Sequence, residues 1–126
     1  LYDLRSGITR LIDPRGIWGS SENGDIKYDI AKLRHSICGD YDYIVSDLFD
    51  IDVSENIISY YTFNSKKDSV KNYFDEVLLK RYNIQHIQLI EGLLFLSMIS
   101  LHGDNETRQL VMYAKAIELL NLVVTY

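Results

Sequence analysis

Aspartates dominate the side chains of this sequence that could do chemistry, and Asp13 is the best placed of them. In "ITRLIDPRGIWG" the run from Ile8 to Ile12 reads as a β-strand that Pro14 must end, because proline lacks a backbone donor and fixes φ. Asp13 is left at the C-terminal lip of that strand, where α/β proteins often keep their chemistry. A carboxylate there can serve as a hard oxygen ligand for Mg²⁺, and an aspartate before proline can equally start a turn. Asp25 follows Gly24 and precedes an apolar-periodic run, the position of a helix N-cap. Asp29 falls at the edge of that helix's apolar stripe, with Lys32 three residues on as an ion-pair partner.

The other candidates point to packing or solvent. His35 lies opposite the stripe Ile26, Ile30, Leu33 and Ile37 and is expected to face solvent. His86 and His102 stand at opposite ends of one predicted helix, too far apart to share a metal. Cys38, beside a helix end, reads as a small packing residue rather than a nucleophile. The set Asp40, Asp42, Asp47, Asp50 and Asp52 could attract a cationic group, but it lacks the glycine spacing of a calcium-binding loop and reads as a solvated loop. Ten tyrosines could stack on a sugar ring, although several occupy helical core spacing.

Composition limits the classes available. A chain of 126 residues, 47% hydrophobic, holds one core and is too short for two ordinary domains, so residues 1–126 are expected to form a single domain. The net charge of −5 and the absence of a clustered basic surface argue against a nucleic-acid partner. A lone cysteine allows no internal disulfide and suits a reducing, cytoplasmic setting. The most apolar window, "LLFLSMISL", is short of the ~20 residues that span a bilayer, so no membrane helix is expected. The chain begins at Leu1 with no signal-peptide pattern, which suggests a piece of something longer.

These residues need elements to hold them. "LYDLRSGITRLID" reads as a short N-terminal β-hairpin turning at Ser6 and Gly7. A helix follows from Asp25 until Gly39. "GDYDYIVSDLFDIDV" has no clean period and is expected to form turns or a frayed helix, whereas "NIISYYTF" reads as extended. Ser65 and Asp68 form a capping-box pattern ahead of Val70, Phe74, Val77 and Leu78, giving a helix that ends near Arg81. The run from Ile84 to Leu101 becomes apolar on nearly every side from Leu93, so its second half is expected to be enclosed, and Gly103 ends it. Leu110, Tyr113, Ile117, Leu120 and Val124 then mark a last helix. The class is mainly α with a short N-terminal β-hairpin.

The order strand, "IDPRG", loop, "GDIKYDIAKL", helices resembles the C-terminal half of the aminoglycoside phosphotransferase and choline kinase group, small-molecule kinases with a protein-kinase-like fold. "LID" matches that group's metal motif, and "GDIKYDIAKL" matches the helix after it, with Asp25, Asp29, Ile30 and Ala31 in place. The wording "DIAKLRHSICGDYDYI" is closest to bacterial relatives in capsular or surface polysaccharide biosynthesis. The resemblance covers the first forty-odd residues and implies the C-terminal lobe of a protein-kinase-like fold. It implies a transferase that passes the γ-phosphate of ATP to a hydroxyl of a small-molecule acceptor, on a sugar or sugar-linked metabolite. Asp13 would bind Mg²⁺, and Asp29 would be a structural brace accepting hydrogen bonds from the catalytic loop. The family's acidic clefts bind cationic acceptors, which would give the aspartate set a role. The catalytic loop, with its base and its metal-binding asparagine, and the N-terminal nucleotide lobe would precede Leu1. The resemblance therefore implies no catalytic residue in this chain, Mg²⁺ and ATP as cofactors of the full-length parent, and no tight binding of either here. The alternatives are a catalytically inert helical binding module and an unrelated helical regulatory domain.

Overall fold

Asp3 builds the first turn of the chain from its own side chain. In the computed structural model, which describes residues 2–9, 19–21, 23–64 and 68–124, the Asp3 carboxylate accepts hydrogen bonds from the Arg5 backbone N–H at 2.9 Å and from Ser6 Oγ at 2.6 Å. Gly7 takes a φ of 67°, open to glycine without penalty. Strands β1 (Tyr2–Asp3) and β2 (Ile8–Thr9) pair antiparallel on either side of this turn. Asp13 and Pro14 lie outside the described residues.

Helix α1 spans Ile26–Ile37, and the Asp25 side chain accepts from the Lys27 N–H at 2.9 Å, as an N-cap does. Its inward face differs from the apolar stripe. Ala31, Arg34 and His35 are buried, whereas Ile26 is 58% and Leu33 54% exposed. His35 therefore does not face solvent; it is stacked inside the protein.

The stretch expected to be turns or a frayed helix is a short helix, α2 (Tyr41–Val45), followed by a strand, β3 (Phe49–Ser54). β3 pairs antiparallel with β4 (Ile57–Thr62), the piece that reads as extended, in a register that sets Ile51 opposite Tyr60. The molecule thus has a second, longer hairpin beyond the N-terminal one. Phe49, Ile51, Tyr60 and Thr62 are half-buried, while Asp50, Asp52 and Tyr61 on the alternate positions are exposed.

Three longer helices complete a mainly helical fold: α3 (Asp68–Leu79), α4 (Ile84–Ile99) and α5 (Glu106–Val124). Ser65, half of the expected capping box, lies outside the described residues. Asn83 caps α4 by accepting from the Gln85 N–H at 2.9 Å, and a 3-10 turn at Ser100–His102 continues it. The stretch Ile84–His102 reaches the length and apolar composition of a membrane-spanning helix, which the shorter apolar window does not convey. Ile87, Glu91, Gly92, Leu94 and Phe95 are buried in its middle, while only 28% of its apolar window is buried inside the protein. The enclosure expected from Leu93 onward is thus centred earlier, and Leu93 itself is 51% exposed.

The core is double. Phe95 joins Ile44, Val111, Met112, Ala116 and Leu119 in one cluster, capped by Phe49, Ile51 and Tyr60 of the second hairpin. Ile87 and Leu94 join Ala31 and Leu78 in the other, with Phe74 and Ile30 against them. α4 serves both.

Candidate functional site

Charged side chains meet at three places where helices join, and the most enclosed is built on Arg34. This residue sits in the last turn of α1, on the face that packs against α4. Its guanidinium grips Asp75 of α3 with two bonds, Nε to Oδ1 and Nη2 to Oδ2, each 2.9 Å, and its Nη1 donates to Glu91 Oε2 of α4. One planar fork therefore ties three helices together. Burial works against the Arg34 charge, but the Asp75 hydrogen bonds and the Glu91 charge outweigh it and raise its pKa. Burial likewise pushes the Glu91 carboxyl above its ordinary range, and Arg34 only partly offsets this.

Two buried polar atoms beside this centre have no hydrogen-bond partner among the described residues: Glu91 Oε1 and His35 Nε2. The His35 ring lies between Tyr41 and Phe95, with centroids 4.3 and 4.0 Å away. Burial, helped by the Lys32 charge, pulls its pKa down to about 4, so the ring is neutral at pH 7. Gly39 makes the close packing possible. A Cβ there would stand 2.8 Å from both Glu91 Oε1 and the Phe95 ring. The Cys38 thiol approaches Asp75 Oδ1 at 3.9 Å, and burial pushes it up to about 11. A thiol that stays protonated is a packing group rather than a nucleophile.

The second centre is Asp40, which the sequence places in a solvated loop and the structure buries. Its backbone is left-handed, with φ 60°, a conformation aspartate tolerates better than most residues. Its carboxylate accepts from Thr62 Oγ1 at 2.9 Å, from Asn64 Nδ2 and from Lys71 Nζ at 3.0 Å. It thereby holds the start of α2 to the end of β4 and to α3. The third centre is more open. Arg108 forks onto Asp47 through Nε at 3.1 Å and Nη2 at 2.8 Å, with His102 and Asp104 beside it. Asp42, Asp50 and Asp52, the rest of the acidic set, are exposed.

Of the residues singled out by sequence, His35 and Cys38 lie beside the first centre, Asp40 makes the second, and Asp47 and His102 meet at the third, whereas Asp25, Asp29 and His86 belong to none of them. Asp29 is exposed on the first turn of α1 and makes no hydrogen bond or ion pair among the described residues, so it does not pair with Lys32. His86 is exposed at the start of α4, and His102 lies past its end, 3.5 Å from the Tyr41 hydroxyl. Among the described residues no group of three or more His, Cys, Asp or Glu side chains could hold a metal ion. Arg34, Asp75, Glu91, Asp40 and Lys71 were not legible as a set. The available signal was Glu91 itself, the one acid in the apolar run "LIEGLLFL". A comparison of the chain with protein-family models, curated proteins and solved structures finds no match.

Proposed function

We propose that this chain is the C-terminal portion of an ATP-dependent small-molecule phosphotransferase. It would act in the cytoplasm on a hydroxyl of a sugar or sugar-linked metabolite destined for capsular or surface polysaccharide, with the lobe organisation of a protein-kinase-like fold. The observation that carries the reading is the state of Asp29. It stands one turn into a helix capped by Asp25, directly downstream of "LIDPRG", with its carboxylate exposed and unengaged among the described residues. A brace for a catalytic loop supplied from upstream needs such a carboxylate.

Phosphoryl transfer depends on positioning and on neutralising charge at the phosphates. Mg²⁺ takes one or two carboxylates and fills its octahedron with phosphate oxygens and water, so Asp13 is the ligand this chain would contribute.

The test is turnover by the full-length parent with Mg²⁺, ATP and hydroxyl acceptors. Asp13→Asn is expected to leave the circular dichroism spectrum unchanged and to cut turnover by about a hundredfold or more, the scale of losing one charge-stabilising group. Unchanged turnover and Mg²⁺ dependence would remove Asp13 from the site. A catalytically inert interaction module is the second reading, favoured by the outward Leu93, Tyr113 and Ile117. A parent that turns over no ATP with any hydroxyl acceptor decides for it.

A further inference from the structure

The outer face of the second hairpin differs in kind from its inner one. Phe49, Ile51 and Tyr60 turn toward the core, so the register sends Asp50 and Asp52 of β3, and Ile57, Ser59 and Tyr61 of β4, to the other side. The Phe63 N–H bonds to Leu48 O at 2.9 Å, which carries the pairing one step further and keeps Phe63 in phase with Tyr61. Tyr61 is 65% exposed and Phe63 49%, and their rings meet edge to face with centroids 5.7 Å apart. Asp50 stands directly across from Tyr61. An aromatic pair and two carboxylates thus share one open face.

Charge on that face has a single sign. From residue 36 to residue 65 the sequence carries six acids and no lysine, arginine or histidine. Two of those acids, Asp40 and Asp47, find their cations in Lys71 and Arg108. The Asp50 and Asp52 carboxylates are exposed and make no hydrogen bond or ion pair among the described residues.

We propose that this face docks an extended, arginine-bearing segment of a partner protein. Charge selects that occupant against the other covers. A second copy placed face to face would set Asp50 and Asp52 against their own kind, with no cation on either side. An uncharged apolar helix would strip water from both carboxylates and give them no partner in return. A guanidinium satisfies both features at once, because it stacks on an aromatic ring while its planar fork bonds a carboxylate. Side chains directly opposite in an antiparallel pair have Cβ atoms about 4.5–5.5 Å apart, so Tyr61 and Asp50 lie within reach of one such group. Asp50 and Asp52 are two residues apart, about 7 Å along a strand, which is the step between alternate side chains of an extended partner. The face is smaller than the roughly 20–30 residues per side of a standard interface, so the contact is transient and weakened by salt. This assignment does not rest on the phosphotransferase reading.

Fluorescence anisotropy tests it, with a labelled peptide that carries arginine at alternate positions between serines. Saturable, salt-sensitive binding to the chain is expected, weakened about tenfold by Asp50→Asn with Asp52→Asn and about threefold by Tyr61→Leu. Glu76→Gln with Glu106→Gln removes the same charge from exposed helix positions and should leave binding as it was. If the double aspartate variant loses its circular dichroism spectrum, Tyr61→Leu carries the test alone. No saturable binding overturns the proposal, and so does an equal loss in the glutamate control, since net charge alone would then be acting. A lysine version of the peptide that binds equally well, or spermidine that displaces the peptide at equal charge, overturns it too, because neither has a planar fork. Binding by this chain but not by the full-length parent would assign the face to the parent's own residues and overturn the partner.

Discussion

Two arginine forks in this molecule use the same bonds in opposite surroundings. Arg34 meets Asp75 and Glu91 beneath three helices, with the Glu91 side chain fully buried. Arg108 meets Asp47 at an edge where the Asp47 side chain is half exposed. In water each charge keeps its hydration and the pair gains little. In the interior, hydration is gone, attraction is stronger, and removing one partner strands the other. The inner fork therefore dictates where α1, α3 and α4 sit relative to one another. The outer fork only decorates a junction already set by the apolar cluster around Ile44 and Val111.

The sharpest way to break this contrast is to remove one acid from each fork. Glu91→Leu should lower the unfolding free energy by about 3 kcal/mol, because Arg34 keeps its two bonds to Asp75 but its buried Nη1 is left without an acceptor. Asp47→Ala should leave the denaturation midpoint within error, and more plainly so at high salt. The double variant Arg34→Met with Glu91→Leu should recover much of the first loss, since a well-packed apolar pair needs no compensation. Equal costs at the two forks, measured by denaturant unfolding, would erase the distinction.

Asp40 should fall between the forks. Asp40→Ala removes the acceptor shared by Thr62, Asn64 and Lys71 and should cost about 1.5–3 kcal/mol, the range for hydrogen bonds to a charged group. Asp40→Gly should cost less than Asp40→Ala, because glycine restores the left-handed backbone. Equal costs would show that the carboxylate alone sets the site.

A separate test is a pH response. His35 titrates near 6.5 when unfolded and at about 4 when folded, so between those values the unfolded chain binds the extra proton. Stability should fall as pH drops through that window, by at most on the order of 3 kcal/mol, and His35→Phe should flatten this component of the curve. Lys32 acts in the same direction, Tyr41 and Phe95 face the ring, and the Arg34–Glu91 pair stays in both proteins, so their difference isolates His35. A wild-type curve that His35→Phe does not change would place the ring in water.

What the sequence disclosed follows the range of the interactions involved. The cap at Asp25 and the helices α3, α4 and α5 are set by neighbours a turn or two away, and they were legible. β3 was missed although Phe49, Ile51 and Val53 alternate with Asp50 and Asp52, because those acids suggest a turn and the strand buries only half of itself. His35 was misplaced because a stripe drawn through apolar residues alone cannot show that α1 turns Ala31, Arg34 and His35 inward. Arg34 can be buried only because Asp75 and Glu91 arrive 41 and 57 residues later. No local pattern contains that pairing. The stripe on α5 was readable as a helix period, and the structure adds that it is the outward one.

Because α4 gives Phe95 to one cluster and Ile87 and Leu94 to the other, with Glu91 between them, the two clusters are not separable parts. Loosening either one frees the rod on which the other is built. The folded state should therefore be lost in a single all-or-none step, with no stable half remaining.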